Sequence, residues 1–186
     1  MLLVPPSVTC LPHYVAALEA GWSPDNMRGA AAASEELAAI ACDAAGFLDR
    51  LNGRAGLDQP VTLPDGSKVE RLPGFRRWLW DGEFCGSIGF RWQPGTPELP
   101  PHVLGHIGYA VVPWKRQRGY ATRALALLIE EIRPLGLPWV DLTTDPDNVA
   151  SCKVIEANGG SRLGGFRRGP QYGGTESLLF RIALSA

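Results

Sequence analysis

The stretch His106–Leu125, HIGYAVVPWKRQRGYATRAL, changes character midway. Its first part, HIGYAVVPW, is an apolar, β-rich run. Its continuation, RGYATRALALLIEEIRPLG, places Ala121, Ala124, Leu125, Leu128 and Ile132 on one face of a helix that Pro134 and Gly136 end. Between the two, Lys115, Arg116 and Arg118 crowd ahead of Gly119, and Arg123 follows. A strand ending at Val112 or Pro113 and a helix starting near Gly119 leave a short loop whose backbone N–H groups have no intrahelical partner, which is a ready anion site. Gly119 removes a side chain that would block close approach, Ala121 keeps the next contact small, and Arg116 and Arg118 can add fork-shaped contacts to phosphate. Cations at a helix N-terminus oppose its dipole by roughly 0.3–1 kcal/mol each, so several of them suggest an anion that offsets the cost. A diphosphate-bearing cofactor is the natural ligand; a solvated start to an amphipathic helix is the alternative reading of the same charges.

Upstream of this stretch, FRRWLWD, EFCGSIGFRW and LGHIGYAVV read as three strands of an antiparallel meander, the first two joined by the short turn DGE. LLVPPSVTC offers a first strand. LPHYVAALEAG and ASEELAAIACDAAGFLDRLNG carry apolar residues at three-to-four spacing and predict two helices. Gly53–Gly74 is rich in Gly, Pro and Asp, with the turn signature PDG at Pro64 to Gly66. Downstream, LPWVDLTT is a continuous apolar run, as expected of a strand covered on both faces. In DPDNVASCKVIEANGG, Asp145 suits a cap, Pro146 the first helical position and Gly159 the end. One or two strands close the chain. The class is α+β, with a strand-helix-strand crossover in the middle.

The bulk numbers restrict function. At 186 residues and 45% hydrophobic content the chain fits a single domain over 1–186. A net charge of -1 provides no global positive field for nucleic acid or an anionic membrane, so neither is an expected partner. Cys10, Cys42, Cys85 and Cys152 form no C-x-x-C pair and read as buried free thiols of a reducing, cytoplasmic compartment. The N-terminus lacks a basic region before its apolar run, which Pro5 and Pro6 interrupt. No P-loop pattern exists, and no G-x-G-x-x-G follows a strand. His102 and His106 have a spacing that binds metal on a helix, but Pro100, Pro101 and Gly105 argue against a helix there, so no metal is expected.

Arg116, Gly119 and Ala121 resemble motif A of the GNAT superfamily of N-acetyltransferases, in which Arg or Gln, two residues, Gly, one residue and Gly or Ala follow in order. DNVASCKVIEANGG, with Asn148 opening a helix and Gly159 closing it, resembles motif B. The run from WDGEFCGSIGFRW through GHIGYAVVP to motif B is similar to an uncharacterised bacterial branch of that superfamily; the likeness is good over Gly74–Gly160 and weak over the first seventy residues. The resemblance implies a mixed, mostly antiparallel sheet of about six or seven strands with about four helices, splayed between its fourth and fifth strands. It implies acetyl-CoA as co-substrate. Carried over by position, Ala110, Val111 and Val112 meet the pantetheine arm, and Arg116, Gln117, Arg118, Gly119, Tyr120, Ala121 and Thr122 meet the pyrophosphate. Asn148 stands on the motif B helix, with Ser151 and Lys153 as neighbours. Gly108 marks either a bulge that opens the sheet or a packing glycine.

The implied reaction is direct attack of a primary amine on the thioester in a ternary complex, aided by a backbone N–H of the fourth strand. An alkylamine is protonated at neutral pH in all but about one molecule in a thousand, a deficit of roughly 4–5 kcal/mol, so proton removal matters. Where histone-type members carry a glutamate base, this chain has Gly105; its neighbour His106 is the nearest titratable group, with Glu83, Glu98 and His102 as weaker candidates and a core histidine as the alternative. Where many members carry a tyrosine acid, this chain has Ile155, and Ser151 or Cys152 can substitute. The implied acceptor site draws on Trp22–Ala33 and Gly164–Gly174, with Trp22, Trp78, Trp80 and Trp92 as either its lining or core. The acceptor is a small amine or peptide, with a homodimer left open. The absent Glu and Tyr motivate a second reading, a non-catalytic acyl-CoA-binding or sensor module of the same fold.

Overall fold

The computed structural model describes residues 1–63 and 66–184; Pro64 and Asp65, which begin the expected PDG turn, lie outside them. In chain order the elements are β1 (Leu2–Val4), α1 (Leu11–Glu19), α2 (Ala30–Cys42), α3 (Ala44–Leu51), β2 (Val61–Thr62), β3 (Lys68–Val69), β4 (Gly74–Trp80), β5 (Phe84–Arg91), β6 (Ile107–Val111), α4 (Tyr120–Ile132), β7 (Trp139–Thr144), α5 (Val149–Glu156), β8 (Ser161–Arg167) and β9 (Glu176–Ala183). One sheet has the order β1-β4-β5-β6, a second β7-β9-β8, and β2 pairs with β3 alone. The fold is α+β with antiparallel pairing in the registers of β1 with β4, β7 with β9 and β8 with β9. The fourth strand of the first sheet, β6, and the next long strand, β7, belong to different ladders.

Several local expectations change. The predicted second helix is two, because Asp43 adopts an extended backbone (φ -155°, ψ 86°) and its carboxylate caps α3 by accepting from Gly46 N–H. Helix α5 begins after Asn148, not after Asp145, and Asn148 supplies the capping oxygen. Strand β7 alternates buried and half-buried residues instead of being covered throughout: Val140, Leu142 and Thr144 face inward, opposite Ile182, Phe180 and Leu178 of β9.

The described chain divides into two compact units interleaved in sequence, Met1–Gly56 with Gly74–Gly89 and Tyr109–Ala124, and Leu57–Pro73 with Phe90–Gly108 and Leu125–Ala186. The first is centred on Leu11, Tyr14, Leu18, Trp22, Phe47, Leu48, Trp78, Phe84, Ala110 and Val112. Tyr14 stacks on Trp78 at 4.7 Å between ring centroids and meets Phe84 edge-on at 5.1 Å. Burying each large apolar side chain contributes about 1.5–3 kcal/mol, and aromatic pairs add about 0.5–1.5 kcal/mol. The Tyr14 hydroxyl donates to Glu36, whose other oxygen accepts from Arg76 Nη1 at 3.0 Å, so that hydroxyl is satisfied, whereas the indole N–H groups of Trp22 and Trp78 in the same core have no partner among the described residues. In the same unit β5 and β6 approach closely at Gly86: a Cβ there would stand 2.3 Å from the Ala110 carbonyl oxygen, and its φ is +148°. Only glycine fits that crossing.

The second unit carries the apolar face of β7 and β9 together with buried Leu125, Leu128, Ile129 and Ile132 of α4 and Ile155 of α5. The start of β6 lies against β7 within this unit. His106 N–H donates to Asp141 O at 2.7 Å, and a Cβ on Gly105 would stand 3.1 Å from that same oxygen.

Candidate functional site

The segment that joins β6 to α4 is built by backbone geometry. Pro113–Lys115 forms a single 3₁₀ turn, in which Lys115 N–H donates to Val112 O at 3.0 Å and Arg116 N–H to Pro113 O at 3.3 Å. Gln117 (φ 60°) and Gly119 (φ 72°) are then left-handed, and Arg123 N–H donates to Gly119 O at 3.0 Å. Between these bonds the N–H groups of Gln117, Arg118, Gly119, Tyr120 and Ala121 have no acceptor among the described residues. Alternating left-handed residues at a helix start turn successive N–H groups toward one concavity, the arrangement that holds phosphate. A Cβ on Gly119 would meet nothing within 4 Å. Its φ is what demands glycine, and the space beside it is open to an anion.

The side chains of the loop divide their tasks. Arg116 Nε donates to Val111 O at 3.2 Å, which fixes its guanidinium beside the strand. Arg118 is exposed and has no partner among the described residues. Lys115 and Tyr120, by contrast, both reach Asp81 in the turn between β4 and β5. Tyr120 therefore offers the cradle its N–H and not its hydroxyl, and Thr122 stands half-buried one turn further on.

On β6, Val112 N–H donates to Cys85 O at 3.0 Å, so alternation turns the Val112 and Ala110 backbone toward β5 and the Val111 backbone toward the opposite edge. Ala110 (8% exposed) and Val112 (0%) bury their side chains in the first unit's core. Of the three residues expected along a pantetheine arm, Val111 alone presents its N–H on the outer edge of the sheet. The backbone of Gly108 is not left-handed and a Cβ there would meet nothing within 4 Å, so neither a bulge conformation nor packing calls for glycine at that position.

The remaining cofactor and catalytic candidates fall in the second unit, Glu83 excepted. Asn148 Oδ1 accepts from Ser151 N–H at 3.0 Å, which makes Asn148 the cap of α5. Ser151 is half-buried on the first turn and Lys153 exposed. Ile155 is 1% exposed, so the position that carries an acid in many relatives is core here. Cys152 is half-buried and free.

His106 is 1% exposed and stacked on Phe90 at 6.5 Å. Its Nδ1 accepts from Asp141 N–H at 2.9 Å. A neutral ring then carries its proton on Nε2, which is buried without a hydrogen-bond partner among the described residues. Burial pushes the pKa of His106 down, opposed by the Asp141 charge and the neighbouring backbone. The lone pair a general base needs is thus occupied, and the ring reads as a packed core histidine. Gly105 beside it lies close against β7, where a Cβ would stand 3.1 Å from Asp141 O, so a carboxylate-bearing residue there would need the strand to give by a few tenths of an ångström. Asp141 itself is held by Arg181 through two bonds of 2.7 and 2.8 Å.

The weaker candidates are dispersed. Glu83 is exposed and 3.7 Å from Lys115 Nζ. Glu98 accepts from the Thr96 hydroxyl, which draws its pKa down, and lines a cleft of about 280 Å³ with Pro100, Val103, Asp141 and Phe166. His102 lines a cleft of about 410 Å³ with Glu70, Arg71 and Gln93, and its carbonyl accepts from the Tyr172 hydroxyl at 2.6 Å. Trp22 and Trp78 are core and line no acceptor cleft; Trp92 stacks on Phe90 at 5.3 Å and Trp80 meets His13 edge-on. All four cysteines are free, but only Cys85 is buried, and Cys42 is exposed. The residue that sequence reasoning missed is Asp81, which there served only as a turn residue in DGE. Its two partners lie far along the chain, and no local pattern announces such a pairing.

Residues 65–161 match the family model of the acetyltransferase (GNAT) domain. No curated protein matches the chain. Among solved structures, the microcin C7 self-immunity acetyltransferase MccE, in complex with acetyl-CoA and AMP, aligns over 97% of this chain and 91% of its own, with a TM-score of 0.62 at 13% identity. A protein described as a GNAT-family acetyltransferase from Bordetella pertussis aligns over 97% and 94%, with a TM-score of 0.57 at 18% identity. An acetyltransferase from Agrobacterium tumefaciens aligns over 97% and 88%, with a TM-score of 0.50 at 19% identity. These likenesses concern the fold; the family model supplies the kinship. Since that model spans more than half of the 186 residues and includes both the cradle after β6 and the capped helix α5, the chain belongs to the GNAT acetyltransferase family.

Proposed function

We propose that the protein transfers the acetyl group of acetyl-CoA to a primary amine of a small molecule or peptide, by direct attack within a ternary complex. The observation that carries this reading is the run of N–H groups from Gln117 to Ala121 that have no acceptor among the described residues, shaped by left-handed backbone at Gln117 and Gly119. A diphosphate accepts from those groups, with Arg116 and Arg118 as charged flanks. Val111 N–H, at the outer edge of β6, is the donor available to the pantetheine arm or to the oxygen that gains charge as the amine adds. The amine nitrogen bonds to the acetyl carbon, the carbon–sulfur bond breaks, and coenzyme A departs as thiolate. Ser151, on the first turn of α5, is the hydroxyl assigned to hydrogen-bond that sulfur. A coenzyme A thiolate is a stable leaving group, so this help is modest.

Proton removal follows from what the chain lacks. His106 is occupied and Gly105 has no side chain, so the acceptor loses its proton to solvent before attack. The supply of free amine then rises tenfold per pH unit below the amine's own pKa, near 10.4 for an alkylamine. Accordingly kcat/KM climbs across pH 6–9 without the inflection that a catalytic histidine imposes. Four free cysteines suit a reducing compartment, and the reading puts the protein in the cytoplasm.

A second reading, an acyl-CoA-binding module without chemistry, draws on the same occupied His106 and buried Ile155. Thiol release from acetyl-CoA across a panel of amines separates the two. Release with at least one amine, rising with pH as above, supports the transferase; saturable binding with no release for any amine supports the module.

A further inference from the structure

Resting on the coenzyme reading above, we propose that Asp81 is a positioning residue that sets the diphosphate cradle before any ligand arrives. Lys115 Nζ donates to Asp81 Oδ1 at 3.2 Å and Oδ2 at 3.0 Å, and the Tyr120 hydroxyl donates to Oδ2 at 2.5 Å. Lys115 closes the 3₁₀ turn and Tyr120 opens α4, so a single carboxylate holds both ends of the Arg116–Gly119 loop. The tie lies at the surface, although the side chains of Lys115 and Asp81 are themselves only 12% and 17% exposed. Asp81 is itself braced within its turn, since Asp81 N–H donates to Glu83 O at 3.3 Å and Glu83 N–H to Asp81 Oδ1 at 3.4 Å. The Tyr120 hydroxyl, then the Lys115 ammonium, hold the Asp81 carboxyl well below the usual carboxylate range, so the tie is charged wherever the protein works. Nearby Cys85, its thiol pushed up to about 12 by burial, adds no competing charge.

Two consequences oppose each other. The tie fixes a loop with left-handed residues at Gln117 and Gly119, so the order a diphosphate needs is present in advance. It also withholds the Lys115 ammonium from the ligand and leaves the anion to the N–H groups with Arg116 and Arg118. Removing Asp81 therefore frees a cation while loosening the loop. Reordering four backbone positions costs more than one screened surface charge returns, so affinity falls on balance.

Asp81→Ala and Tyr120→Phe test this, each titrated calorimetrically with coenzyme A and, in parallel, with pantetheine, which lacks the diphosphate. We expect coenzyme A binding about tenfold weaker in Asp81→Ala and about threefold weaker in Tyr120→Phe, with pantetheine binding unchanged. Coenzyme A affinity equal to or above wild type in Asp81→Ala overturns the positioning role while the coenzyme reading stands. Equal losses for both ligands also overturn it, because Asp81 would then act on the fold at large. If wild type itself fails to bind coenzyme A, the coenzyme reading falls and this one with it. Should Asp81→Ala not fold, Tyr120→Phe decides by the same comparison.

Discussion

His106 shows how one side chain changes meaning between sequence and structure. Read along the chain it is the titratable group closest to the position of a family base; in the fold it is enclosed, with Nδ1 committed to Asp141 N–H. Burial lowers its folded pKa below the unfolded value, so its neutral form contributes stability that is present above that value, about 6.5, and is lost as pH falls below it. Urea unfolding should show stability dropping between about pH 7 and pH 5, with a shallower drop in His106→Gln. An unchanged slope in that variant would contradict the buried, neutral assignment. The sequence could not disclose this, since what encloses His106 comes from Phe90 and Asp141, distant positions whose approach depends on strand pairing. Gly119 is the opposite case. Its place between strand and helix was legible because strand, cations, glycine and helix stand within one short stretch; its left-handed backbone is what the structure adds.

At the scale of elements, legibility tracked how local the cause is. Strands β4, β5 and β6 follow from periodicity, and so does the buried stripe of α4 through Ala124, Leu125, Leu128 and Ile132, with Ala121 half-buried and Ile129 added. Boundaries set by a competing cap did not. Asp145 followed by Pro146 imitates a helix start, yet the Asp145 carboxylate is taken by Arg168 Nη2 at 2.5 Å and Asn148 caps α5 instead. Asn148→Ala should therefore cost about 1 kcal/mol of stability, measured by chemical denaturation, whatever it does to coenzyme binding. Asp145→Ala should leave the helical content of α5 intact. Loss of that helix in Asp145→Ala but not in Asn148→Ala would show that the cap was misassigned. The break at Asp43 has the same origin, a side-chain cap that outweighs continuous helical periodicity.

For the whole molecule, a net charge of -1 leaves anion recognition to local geometry, and the structure supplies that geometry at the start of α4. The class of fold and the loop between β6 and α4 were legible because both rest on contiguous patterns. Asp81, the enclosure of His106 and the division into two interleaved units depend on long-range pairing and were not. No described helix is long and apolar enough to cross a membrane. The central claim, that the Gln117–Ala121 backbone holds the diphosphate of acetyl-CoA, is tested most directly by calorimetric titration of acetyl-CoA into wild type and Gly119→Val, with melting temperatures as control. Forcing a β-branched residue into a left-handed position costs of order 1–3 kcal/mol and places methyl groups in the space beside the N–H groups. The account predicts saturable binding to wild type and at least a thirtyfold loss in a variant that still melts cooperatively. Equal affinity in the two proteins would contradict it.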